Sequence, residues 1–73
     1  HESDIGIYIY KNNVLCSQKE MIKLGDEIMI RVFNNYRINQ NVEILLTVDG
    51  NFIKGSEKDL IPEESIAIYY TYF

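Results

Sequence analysis

Glu27-Ile28-Met29-Ile30-Arg31-Val32-Phe33 is the stretch on which the fold class turns. Ile28, Ile30 and Val32 recur at every second position with Glu27 and Arg31 between them, and side chains on an extended backbone point alternately to opposite faces. The run therefore reads as a β-strand with the three β-branched residues facing a core and Glu27 and Arg31 facing water. Gly25-Asp26 punctuates its start. Downstream, Asn34 to Asn41 is polar and rich in asparagine, which predicts an exposed loop with Tyr36 and Ile38 as anchors or contact residues.

The same period of two appears on both sides of this strand. Upstream, Ile5, Ile7 and Ile9 alternate with Gly6, Tyr8 and Tyr10, which predicts a half-buried strand with the isoleucines inside. Asn12-Asn13 then suits a tight hairpin, so Val14 to Ser17 is expected to turn back as a short second strand. Lys19 to Leu24 is too short for an independent helix and reads as a connector or short strand, with Met21 and either Ile22 or Leu24 inward. Downstream, Val42, Ile44, Leu46 and Val48 share the core face of another strand. Asp49-Gly50-Asn51 marks a hairpin that returns through Phe52 to Lys54. Gly55 to Asp59 is expected to form a charged turn, and Pro62, which cannot donate to a ladder, belongs to a connection or an edge.

Ser65 to Phe73 closes the chain with Ile66, Ile68, Tyr70 and Tyr72 on one face and Ala67, Tyr69, Thr71 and Phe73 on the other. A strand apolar on both faces needs cover on both, from the rest of the chain or from another molecule. The expected architecture is all-β: one domain over residues 1–73, a small immunoglobulin-like β-sandwich or related barrel of about six short strands, open to completion by another chain. With 73 residues there is room for one core and no second.

Composition narrows the function classes. The net charge is −4 and the seven basic residues are scattered, which disfavours a surface that tracks phosphates. Cys16 is the single cysteine, so no internal disulfide forms. That suits a reducing compartment, or a prokaryotic or viral surface where disulfides are optional; a cell-surface, secreted or virion location is favoured over the cytoplasm. No window reaches the length of an apolar membrane span. No asparagine lies two positions before Ser or Thr, so no N-glycosylation acceptor is present.

Catalysis finds no support among the residues. His1 is the only histidine; a tag residue or frayed end explains it better than a metal ligand, and Cys16 has no imidazole in the body of the chain to activate it. The acidic groups Asp26 and Glu27, Asp49, Glu57 and Asp59, and Glu63 and Glu64 sit in turn-like segments. They lack the spacing of a calcium loop or of opposed catalytic carboxylates. Neither a phosphate-binding glycine loop nor zinc spacing occurs, so the expectation is a protein that is not an enzyme, without cofactor or metal. The six tyrosines are numerous for the length, and tyrosine suits interfaces because it covers a large area with few rotors and keeps a polar tip. Tyr8, Tyr10, Tyr36, Tyr69 and Phe73 are the interface candidates. If the first and last strands are neighbours, Tyr8, Tyr10, Tyr69 and Phe73 form one aromatic patch.

From Leu24 to Tyr72 the chain resembles the CARDB-type cell-adhesion domains, an immunoglobulin-like family of bacteria and archaea. The matching features are the turn Leu24-Gly25-Asp26, the strand ending in Phe33-Asn34-Asn35, the run Val42 to Val48 closed by Asp49-Gly50, and Leu60-Ile61-Pro62-Glu63-Glu64-Ser65 leading into Ile66 to Tyr70. The resemblance implies adhesion, surface display or assembly, and brings no catalytic residues. The family continues past its proline turn with two further strands where this sequence stops, which implies an edge that another segment or subunit supplies by strand addition. The expected function is thus a structural, adhesion or assembly module working by protein contacts, as a homo-oligomer or with a protein partner through the terminal strands. The alternative is a small-barrel binding domain for oligosaccharide or single-stranded nucleic acid, whose stacking platforms use the same aromatics but also want basic neighbours.

Overall fold

The computed structural model describes residues 4–17 and 19–73; the expectation for His1 lies outside them. The chain is all-β, as its alternation predicts, with six strands in the order β1 (Ile5–Lys11), β2 (Val14–Cys16), β3 (Glu27–Asn34), β4 (Gln40–Val48), β5 (Asn51–Leu60) and β6 (Ser65–Thr71). They form a four-stranded sheet of order β2-β1-β3-β6 and a two-stranded sheet of β4 and β5. Every pairing is antiparallel.

Two tight turns set the hairpins. Asn12 and Asn13, at φ 52° and 69°, join β1 to β2, and Asp49 and Gly50, at φ 52° and 80°, join β4 to β5. Positive φ at both central residues gives a turn whose twist matches that of the strands, and asparagine, aspartate and glycine tolerate it. The first turn is also bolted to β3: the Asn12 N–H donates to the Glu27 carbonyl at 2.8 Å, and the Glu27 N–H donates to Asn12 Oδ1 at 2.9 Å. Asp26 extends this latch, its carboxylate accepting from Asn12 Nδ2 at 3.0 Å and from the Lys23 N–H at 2.8 Å.

The core lies between the sheets and is small. Val32 and Ile68 come from the larger sheet and Val42, Ile44 and Leu60 from the smaller, with Ile5, Ile30, Leu46 and Ile66 packed around them. Full burial of such a side chain stabilises by about 1.5–3 kcal/mol. One polar residue lies among them. Asn34 is fully buried, and its amide is saturated: Nδ2 donates to the Leu60 and Ile38 carbonyls at 3.0 and 3.1 Å, and Oδ1 accepts from the Tyr36 N–H at 2.8 Å. Its backbone joins the β5–β6 connection, donating to the Glu64 carbonyl and accepting from the Glu63 N–H, both at 2.9 Å.

The structure departs from the sequence expectations at four places. Asn34 belongs to β3 and the interior, so the exposed loop is shorter than the asparagine-rich run suggests. Gly55 to Asp59 is not a turn but part of β5, which runs on to Leu60; pairing with β4 overrides a composition with little strand preference. Met21 points to solvent in the connector and does not face inward, while of Ile22 and Leu24 it is Ile22 that is the more covered. Ile7 sits on the core side of β1 as predicted yet remains 52% exposed. The two-stranded sheet explains this, because β4 lies chiefly against β3 and β5 against β6, leaving only the tip of β4 near β1 among the described residues.

The long strand β5 sorts its charges. Lys54, Ser56 and Lys58 pair with Leu46, Ile44 and Val42 and so lie on the inward side, whereas Glu57 and Asp59 lie opposite Glu43 and Asn41 on the outward side. Only Leu60 of this strand is buried.

Candidate interaction surface

The face of the four-stranded sheet turned away from the core gathers most of the aromatic candidates. Because Ile30, Val32 and Ile68 face inward, strand alternation turns Met29, Arg31, Phe33, Ala67 and Tyr69 outward. Register then aligns rows across the sheet. Leu15, Tyr10, Met29 and Tyr69 form one row through all four strands. Tyr8, Arg31 and Ala67 form the next, and Gly6, Phe33 and Ser65 the third.

β1 and β6 are not neighbours, since β3 lies between them. The condition for a single aromatic patch is thus not met: Tyr8, Tyr10 and Tyr69 share the outward face, but Met29 of β3 stands between Tyr10 and Tyr69. Tyr69 is 62% exposed, and its neighbours on the same face leave Tyr10, Met29 and Phe33 half-buried. Tyr8 leans back over Gly6: its ring edge lies 3.0 Å from where a Cβ on that residue would sit, with the Asn35 amide at 3.3 Å. Glycine at this position therefore lets the ring lie flat on the sheet. Arg31 stands at the centre, with Nη1 donating to Ser65 Oγ at 3.1 Å.

Two candidates fall outside this face. Tyr36 lies in the segment between β3 and β4, half-buried and tied through its N–H to Asn34. Phe73 is exposed beyond Thr71, the last residue of β6 paired with β3. Conversely, Met29, Phe33 and Leu15 join the surface without having been singled out. Their signal was present in the alternation of each strand but required the strand order to become a surface.

A second concavity lies between the sheets. A cavity of about 340 Å³ opens where the tip of β4, at Leu46, Thr47 and Val48, stands over Ile9, Ile30 and Tyr70, with Glu20 and Ile22 of the connector at its side. Its walls are mainly apolar. Glu20 is engaged with Lys11 Nζ at 3.1 Å, and that hydrogen-bonded partner raises the Lys11 ammonium above its ordinary 10.5. Cys16, half-buried, directs its thiol to the Ile9 carbonyl at 3.4 Å. Among the described residues no group of three or more His, Cys, Asp or Glu side chains is placed to hold a metal ion, and no helix is long and apolar enough to cross a membrane.

No family model, curated protein or solved structure matches this chain. The arrangement of its side chains is the ground for any functional reading.

Proposed function

We propose that this domain is a non-catalytic contact module, a reduced immunoglobulin-like β-sandwich of the CARDB type, that associates with copies of itself through the outward face of its four-stranded sheet. The observation that carries the reading is the placement of Tyr8, Tyr10 and Tyr69 on one face around Met29 and Arg31. Tyrosine, methionine and arginine are the residue types enriched where proteins meet, and aromatic and arginine side chains dominate binding energy there. An adhesion or assembly role at a cell or virion surface accords with that chemistry. The same aromatics also suit stacking against a sugar ring, the alternative reading.

Sedimentation of the isolated domain across a micromolar concentration series tests the proposal. Association should appear with rising concentration, and Tyr69→Asp should weaken it by about ten-fold or more while leaving the melting transition nearly in place, as for an exposed interface residue. A strict monomer throughout the series would refute self-association. Oligosaccharide binding that Tyr69→Asp abolishes would transfer the face to the alternative.

A further inference from the structure

We infer that the free edge of β4 is a docking site for an extended peptide strand in which apolar residues alternate with basic ones. The sheets are unequal. β4 lies over β3 and β5 over β6, and adjacent strands within a sheet are about 4.8 Å apart, so one more strand beside β4 would lie over β1. Among the described residues no strand takes that position, and Ile7, 52% exposed, faces it from the core side of β1. The connector, which Lys11 holds through Glu20 and the Met21 carbonyl, bounds it at the other end of β1. The cavity marks the end of the same slot, since its walls include Thr47 on β4 and Ile9 on β1.

Backbone groups favour a strand as the occupant. The Ile44 carbonyl oxygen is turned toward β5, 3.1 Å from the site of a Cβ on Gly55. By alternation the N–H and C=O groups of Glu43 and Leu45 point the other way. Among the described residues no backbone hydrogen bond reaches them. The strip over β1 and β2 is at most about 10 Å wide and about 20 Å long by strand spacing and rise, and the connector held by Lys11 takes up part of it. That is at most about 200 Å², too little for a folded second copy, which needs about 800 Å² per partner, and the footprint of a single strand.

Charge then selects the side chains. On the outward side Glu43 stands directly opposite Glu57, with Asp59 one position along the same face. Like charges opposed across strands are unfavourable, and an opposite charge in the adjoining position relieves them. A strand added beside β4 would thus lay apolar side chains inward on Ile7 and a lysine or arginine outward beside Glu43.

The test uses the native domain and an acetylated peptide alternating lysine with valine, followed by NMR titration, against a peptide with glutamate in place of lysine. Saturable shifts are expected at the amides of Glu43, Leu45 and Thr47 and at the Ile7 methyls, with an affinity for the lysine peptide up to about five-fold higher. Glu43→Lys should invert that preference. Leu45→Pro, which removes one outward N–H at a position where an edge strand tolerates proline, should abolish binding, whereas Leu45→Ala should retain it. Equal binding of both peptides by wild type and Glu43→Lys would overturn the inference, as would shifts confined to the Tyr8 and Tyr69 face. Shifts of the β4 amides on simple dilution without peptide would also overturn it, by assigning the edge to a second copy. Because the peptide is monitored at β4, these outcomes are independent of whether the aromatic face associates.

Discussion

Asn34 concentrates more structural consequence than any other side chain. Its amide serves the β3 terminus, the segment leading to β4, and the end of β5. Removing it by Asn34→Ala would strand the Leu60 and Ile38 carbonyls and the Tyr36 N–H. A buried unsatisfied group costs about 1–3 kcal/mol, a large share of the stability of so small a chain. Urea unfolding should therefore show a lower midpoint with an unchanged slope. Asn34→Asp should be worse at neutral pH, because it would turn a carboxylate toward two carbonyl oxygens. The sequence disguised this role: asparagine in an asparagine-rich run resembles loop material, and only the arrival of the distant Leu60 carbonyl beside the local Tyr36 and Ile38 groups makes it an interior residue.

At the scale of elements, the β5–β6 connection carries visible strain. Ile61, Pro62, Glu63 and Glu64 form a reverse turn closed by the Glu64 N–H donating to the Ile61 carbonyl at 3.1 Å, and Glu63 takes a φ of 68°. Proline presets the position before it, but the left-handed position favours glycine or asparagine. Glu63→Gly should raise stability by about 1 kcal/mol, measurable as a higher melting temperature, since glycine retains the N–H that reaches Asn34. The strands β1, β3, β4 and β6 were legible because each repeats apolar residues at every second position. β5 beyond Lys54 was not, because its inward side carries Lys54, Ser56 and Lys58 and so lacks the pattern by which strands are read. The aromatic face was half legible: Tyr8, Tyr10 and Tyr69 stood out by type. Their sharing of one face across β3 depends on strand order, which alternation within a strand does not encode.

For the whole molecule, two carboxylates held by hydrogen bonds at strand connections contribute to the response to pH. The Asp26 carboxyl is held below its ordinary 3.8, chiefly by the Lys23 N–H and then by the Asn12 amide. The Glu64 carboxyl is held below 4.5 by the Lys58 ammonium and the Ile61 N–H. Both values are depressed on folding, so their contribution is present above the ordinary carboxylate range and is lost as pH falls through the lowered values. Thermal melting should drop progressively below about pH 4, and less steeply in an Asp26→Asn, Glu64→Gln double variant. Lys11 acts in the opposite sense: the contribution of its contact with Glu20 is fully present below the ordinary 10.5 and is lost only as pH rises through the raised value.

The sorting of charge along β5 reaches beyond solubility. Lys54 and Lys58 on the inward side of an exposed margin would have to be desolvated by any further strand laid there, and inward-turned charge of this kind discourages edge-to-edge pairing. Charge placed at a rim in this way guards against open-ended stacking of one molecule on the next.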